Sequence, residues 1–302
     1  MQAFDDLHDD LAAWRDTIHR LAARVAPGQV PVRQMASGTV LVALLGQSQV
    51  VKLFPPFLRD HFEFERAALA QLQGRLSLPT PKLVDSGEHE GWPFIVMSQL
   101  QGVPLIQCWA NLDPAVQCSA LQDIGALMNQ VQALPVGALR DLAPPWGSFI
   151  RQQRERCHAR QARTGLPAHL LAQLEPFLDS EPALDPLVKP GDHVILTGEY
   201  TPMNLMFNER TGKVCGMFDF GDGLVGPREV DWLGPLCFLA AGHAERCAAL
   251  MAGLQRQLNP ALRRHLLRLL LLHRYSNLKA QLALPGWQQC GRFEDLAERL
   301  WP

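Results

Sequence analysis

Apolar residues recur along this chain with two periods. Leu7, Leu11, Trp14, Ile18, Leu21 and Val25 step by three and four, the spacing of one face of an α-helix. Asp5 or Asp6 would cap that helix and Pro27-Gly28 would end it. From Val30 to Phe54 the pattern becomes that of strands. Val40, Leu41, Val42, Leu44 and Leu45 form one run, Val50, Val51, Leu53 and Phe54 another, and Gly46-Gln47-Ser48 lies between them as a turn. Glu65, Leu69 and Leu72 return to helical spacing, Pro79 and Pro81 punctuate a link, and Trp92 to Leu100 resumes as strand before Gly102.

Beyond Gly102 the pattern is mostly helical, over 116–134, 149–163, 230–241, 246–258 and 262–284, with a further apolar face at Leu170, Leu171, Leu174 and Phe177. One β segment interrupts it. Leu205-Met206-Phe207 and Val214 to Phe218 flank the polar stretch Asn208 to Lys213, a hairpin signal. The change from strands to helices places a boundary near Leu100 to Gly102. The expected organisation is a unit over 1–101 and another over 102–302.

Three features carry candidate chemistry. The hairpin brings Glu199 and Asn204 at one end near Asp219 at the other. Two carboxylates and an amide oxygen are hard donors suited to Mg²⁺ and a phosphoryl group. Lys52 sits inside the apolar strand Val50 to Phe54, where a lone Lys is costly unless paired or at a sheet edge. Glu65, on a helix, is the readable partner. Ser37-Gly38-Thr39 precedes the first strand. It reads equally as an ordinary strand-entry turn or as a phosphate-covering loop.

Composition narrows the class. The 302 residues are 47% hydrophobic and 19% charged, a globular balance. A net charge of -2 gives no reason to expect nucleic acid. The seven scattered cysteines form no Cys-x-x-Cys pair, which points to a reducing, cytoplasmic setting without zinc. No apolar run reaches bilayer length, so no membrane partner is expected, and the N-terminal acids do not suit a signal peptide.

The stretch Thr197-Gly198-Glu199, Asn204 and Phe218-Asp219-Phe220 resembles the catalytic and metal loops of the aminoglycoside phosphotransferase family. The resemblance extends over nearly the whole chain. It looks nearest to the hygromycin B phosphotransferases in Ser37-Gly38-Thr39, Val96-Met97-Ser98, Val214-Cys215-Gly216 and the C-terminal Phe293 to Trp301. It implies an α+β, bilobal, protein-kinase-like fold, with an antiparallel N-terminal sheet and a larger helical lobe. By that resemblance the chain is an ATP- and Mg-dependent phosphotransferase acting on a hydroxyl of a small molecule, with GTP as the other possible donor. Ser37 and Gly38 would cover the phosphates, and Lys52, held by Glu65, would position them. Backbone groups near Ser98 and Leu100 would bind the adenine edge, Asn204 and Asp219 would hold Mg²⁺, and Glu199 would accept the hydroxyl proton. A monomer or homodimer is expected. Thr197 and Glu199 stand where the family has His and Asp, so a nucleotide-binding protein impaired in catalysis is the alternative. Only eleven residues separate Asp219 from Asp231, too few for the long activation segment of a protein kinase.

Overall fold

The computed structural model describes residues 11–27, 32–34, 40–180, 192–198, 200–282 and 284–302. The chain forms two compact units. One comprises Met1–Gln101 with Gly216–Asp222, the other Gly102–Cys215 with Gly223–Pro302.

In the first unit, α1 (Leu11–Val25) precedes strands β1 (Val32–Gln34), β2 (Leu41–Leu45) and β3 (Gln49–Leu53). Helix α2 (Arg59–Leu72) follows, then β4 (Leu83–His89) and β5 (Trp92–Ser98). The strands make one antiparallel sheet in the order β1-β2-β3-β5-β4. Leu41, Ala43 and Leu45 alternate inward on β2 and pack with Val51, Leu53, Phe94 and Val96 against Ile18, Leu21 and Ala22 of α1. Side chains alternate across a sheet, so Lys52 and its cross-strand neighbour Ile95 lie on the opposite face. Strand β4 was not legible in the pattern, because its side chains are mostly half-buried or exposed. The expected cap at Asp5 or Asp6 and the position of Leu7 lie outside the described residues.

The second unit opens with β6 (Val103–Pro104), α3 (Leu105–Cys108), α4 (Pro114–Gln132), α5 (Leu139–Leu142), α6 (Trp146–Arg163), α7 (Ala168–Leu171) and α8 (Leu174–Leu178). It continues with β7 (Val194–Leu196), β8 (Leu205–Asn208), β9 (Lys213–Met217, whose last two residues count with the first unit) and β10 (Leu224–Gly226). It closes with α9 (Glu229–Phe238), α10 (Ala244–Gly253), α11 (Pro260–Leu272), α12 (Leu278–Gln281) and α13 (Phe293–Leu300). The expected hairpin is β8–β9. Its turn is held by Asn208, whose Oδ1 accepts from the backbone N–H groups of Arg210 at 3.0 Å and Thr211 at 3.2 Å. Strand β6 adds to β8, and β10 pairs antiparallel with β7. Trp232, Trp287, Trp301 and Phe293 anchor the helical core.

Two expected helices are shorter than the pattern predicts. The helix over 246–258 ends at Gly253, and Gln255 follows with a left-handed φ of 55°. The helix over 262–284 stops at Leu272, because the carbonyl of Leu271 is already engaged. It accepts from Cys157 Sγ at 3.3 Å, Arg160 Nη2 at 3.2 Å and Gln161 Nε2 at 3.0 Å, all from α6. His273 turns extended at ψ 139°, and Asn277 starts α12 by accepting from Ala280 N.

Candidate functional site

In the first unit, strand β3 carries Lys52 into the interior, where 5% of the residue remains exposed. Its Nζ donates to Glu65 Oε1 at 2.7 Å and to Asp219 Oδ1 at 2.7 Å. Glu65 projects from α2 and is fully buried. Asp219 belongs to the segment that leaves β9, between the half-buried Phe218 and the buried Phe220, and its side chain is 41% exposed. The backbone at Asp219 is left-handed, φ 70°, a conformation that is uncommon outside glycine and collects at functional sites. Asp222 closes this segment onto α2, its Oδ1 lying 3.5 Å from His61 Nδ1.

The electrostatics follow from burial. Desolvation alone would lower the Lys52 ammonium, but the charges of Asp219 and Glu65 outweigh it and hold Lys52 above its ordinary value. Burial pushes the Glu65 carboxyl up to about 7 against the pull of Lys52, and the nearby charge of Asp219 adds to the rise. The result is a fixed cation with one dry carboxylate behind it and one half-exposed carboxylate beside it.

In the second unit, β7 leads into Thr197 and Gly198. Their backbone N–H groups donate to Asp231 Oδ2 and Oδ1, each at 2.9 Å. Asp231 is 3% exposed in the first turn of α9, and burial raises its carboxyl to about 7 in spite of those bonds. One turn along α9, Gly234 lets the loop backbone come close. A Cβ there would sit 2.8 Å from the carbonyl oxygen of Tyr200. Tyr200 is buried, which raises its phenol well above its ordinary value. Asn204 is also buried, its N–H donating to Thr201 O at 3.1 Å just before β8 begins.

The structure thus brings Lys52, Glu65 and Asp219 together, while Asn204 stands in the second unit. Ser98 ends β5, with its N–H donating to Lys82 O at 2.9 Å and its Oγ accepting from Lys82 N at 2.9 Å. Leu100 follows in irregular backbone, half-buried beside Gly216. Ser37, Gly38 and Glu199 lie outside the described residues. Sequence reasoning missed the supporting roles of Asp231 and Gly234. The available signal was an acid inside the apolar run Val230-Asp231-Trp232-Leu233, which requires a buried partner. In the first unit Asp219 offers a half-exposed carboxylate and in the second Asn204 an amide group, each by itself a hard oxygen donor of the kind Mg²⁺ takes. Among the described residues, no group of three or more His, Cys, Asp or Glu side chains is placed to hold a metal ion. Nor is any helix among them long and apolar enough to cross a membrane.

Comparison with known proteins gives one family. The model of the phosphotransferase enzyme family matches residues 28–270. No curated protein matches the chain. Among solved structures, the GDP complex of wild-type aminoglycoside 2'-phosphotransferase-IIIa is similar with a TM-score of 0.70 at 17% identity, over 94% of this chain and 98% of that one. The streptomycin-ATP-APH(2")-IIa ternary complex gives 0.63 at 14% identity, over 87% and 92%. The macrolide 2'-phosphotransferase MphH from Brachybacterium faecium, an apoenzyme, gives 0.61 at 19% identity, over 84% and 87%. At these identities the likeness establishes the shared fold.

Proposed function

The chain belongs to the phosphotransferase enzyme family, and we propose that it transfers the γ-phosphoryl group of ATP to a hydroxyl of a small molecule. The observation that carries this reading is the Lys52 ammonium held at 2.7 Å by both Glu65 and Asp219. A buried Lys fixed by a helix carboxylate is how kinase-like enzymes orient a cation on the α- and β-phosphates. The first unit is the nucleotide-binding lobe, and the second carries the catalytic loop and the acceptor pocket. Leu100 offers its backbone to the adenine edge, and Ser37 and Gly38 cover the phosphates. Complexes of the relatives with ATP and with GDP support a nucleotide donor and keep GTP open as the second choice.

In this reading Asn204 and Asp219 would hold Mg²⁺, which would supply charge neutralisation at the transferring phosphate. Glu199 accepts the proton of the acceptor hydroxyl as that oxygen bonds to the γ-phosphorus. The bridging P–O bond to the β-phosphate breaks, and ADP leaves with that electron pair. Asp231 holds the backbone of Thr197 and Gly198 and Gly234 admits that of Tyr200, the chain neighbours on either side of Glu199.

A second reading has one observation in its favour. Glu199 is a methylene longer than the family's Asp, and a displacement of ~1 Å can cost on the order of 10²-fold in rate. In that case the chain binds nucleotide and transfers little. Calorimetric titration of Mg·ATP into wild type, Lys52→Ala and Asp219→Ala tests the common premise. Both variants are expected to bind at least about tenfold more weakly. Equal affinity in all three would remove the kinase-like reading of the site.

A further inference from the structure

Within the first unit, the segment that carries Asp219 is held at more than one point. Helix α2 places His61 four positions before Glu65, one turn away on the same face. Glu65 meets Lys52, and His61 Nδ1 lies 3.5 Å from Asp222 Oδ1. Between Asp219 and Asp222, Gly221 rides on that helix face. A Cβ built on it would lie 3.4 Å from Glu65 Oε2 and 3.6 Å from His61 Cβ. With a proton on Nδ1, as neutral tautomer or imidazolium, His61 faces the carboxylate as a donor. Both side chains are largely covered, 26% of His61 and 23% of Asp222 remaining exposed, so solvent screens the contact less than on an open surface.

The helix that carries His61 is itself fixed to the strand that carries Lys52. Next to His61, the buried Phe62 sets its ring edge-on to Phe54, just beyond β3, at 5.7 Å. Farther along α2, Phe64, Ala68, Leu69 and Leu72 are buried as well. Lys52 and His61 are therefore two fixed points on one scaffold. Lys52 takes Asp219, and His61 takes Asp222 three residues on. The chain leaves the first unit directly after Asp222, since Gly223 counts with the second.

The backbone at Asp219 gives the second hold a purpose. Its left-handed φ of 70° costs free energy in a residue with a Cβ and persists only where the surroundings over-determine it. The ion pair with Lys52 fixes the Asp219 carboxylate, but a side-chain contact alone leaves the following backbone free to turn. A hold at Asp222 removes that freedom, because it fixes the far end of Phe220-Gly221.

We propose that His61 is a positioning residue, whose hold on Asp222 keeps Asp219 in the left-handed conformation from which its carboxylate serves Lys52 and the metal. The proposal rests on the phosphotransferase reading above. The test compares wild type, His61→Leu, His61→Asn, Asp222→Ala and the double variant His61→Leu/Asp222→Ala, with unfolding midpoints as a control. Hydrogen exchange in the nucleotide-free protein reads the segment 216–222 directly, and calorimetry reads ATP binding with Mg²⁺ and with EDTA. His61→Leu should speed exchange over 216–222 about tenfold, leave β2 and β5 unchanged, and cut the gain in ATP affinity that Mg²⁺ provides by about tenfold. His61→Asn keeps an N–H donor at the place of Nδ1 and should restore most of both. The double variant should be no worse than Asp222→Ala alone, since both changes break one contact. Unchanged exchange over 216–222 in folded His61→Leu, or effects that add in the double variant, would overturn the pair. Faster exchange with ATP affinity unchanged, or lost equally with Mg²⁺ and with EDTA, would make His61 a support of the fold and not of Asp219. Failure of wild type to bind Mg·ATP would overturn the phosphotransferase reading instead, while exchange still reads the contact.

Discussion

Lys52 shows how far a single residue can be read from sequence. A lone Lys inside an apolar strand needs a partner, and Glu65 was readable as that partner because Leu69 and Leu72 follow it at helical spacing. The second partner was not legible in the same way. Asp219 lies 167 positions away in the chain and suggested itself only as a metal ligand, yet its Oδ1 is as close to Nζ as Oε1 of Glu65. Nothing local in the sequence encodes that contact; it arises because Gly216–Asp222 packs with the first unit. Glu199 is the residue on which turnover depends in the proposed mechanism. Glu199→Gln should retain Mg·ATP affinity and lose roughly 10²- to 10⁴-fold in transfer rate, because an amide cannot accept the proton. Glu199→Asp tests whether the loop is fitted to the longer side chain, in which case the shorter acid is also slow. Transfer of radiolabel from ATP to an acceptor measures both. An unchanged rate in Glu199→Gln would show that another group takes the proton.

Elements with a strong period were readable, and those whose ends depend on distant side chains were not. The alternation at Leu41 to Leu45 foretold β2, because its inward positions meet α1. The hairpin β8–β9 was marked by its polar turn. The end of α11 could not be read, since the donors that stop it come from α6, more than a hundred positions earlier. Helix α9 has a similar hidden dependence, because its Asp231 holds the backbone of Thr197 and Gly198. Burial raises that carboxyl from 3.8 to about 7. An acid raised in the folded state contributes most when protonated. Its contribution is therefore complete below about pH 4 and is lost as pH climbs to about 7. Asp231→Asn cannot titrate and offers one acceptor oxygen in place of two. Denaturant unfolding should show it less stable by about 1–3 kcal/mol near pH 5, with the gap to wild type narrowing toward neutrality. A gap that stays constant from pH 4 to 8 would mean that Asp231 does not titrate in this range.

On the scale of the whole molecule, charge distribution bears on which acceptors the enzyme takes. From Cys237 to Pro302 the sequence has Arg246, Arg256, Arg263, Arg264, Arg268, Arg274, Lys279, Arg292 and Arg299 against Glu245, Glu294, Asp295 and Glu298. The structure changes what that bias means. Arg246 donates to Gln117 Oε1 and lies over Trp109, Arg263, Arg268 and Arg299 close carbonyl groups, and Arg264 and Arg292 meet acids. Most of the excess is therefore fold support, and the acids near the catalytic loop bear more directly on the acceptor. Those groups do not suit a substrate carrying several ammonium charges, for which a pocket should be rich in carboxylates. Asp231 is buried on backbone N–H groups, and Asp222 lies against His61. Glu229 is half-buried, and burial raises its carboxyl, so it is a weak cation site. We therefore expect kanamycin and hygromycin B to be phosphorylated at least about a hundredfold less efficiently, in kcat/KM, than the best neutral or anionic hydroxyl compound. A radiolabelled-phosphate screen across aminoglycosides, sugars, nucleosides and hydroxy acids measures this. If the aminoglycosides were turned over rapidly and the other classes stayed inert, carboxylates not identified above would have to build the acceptor pocket.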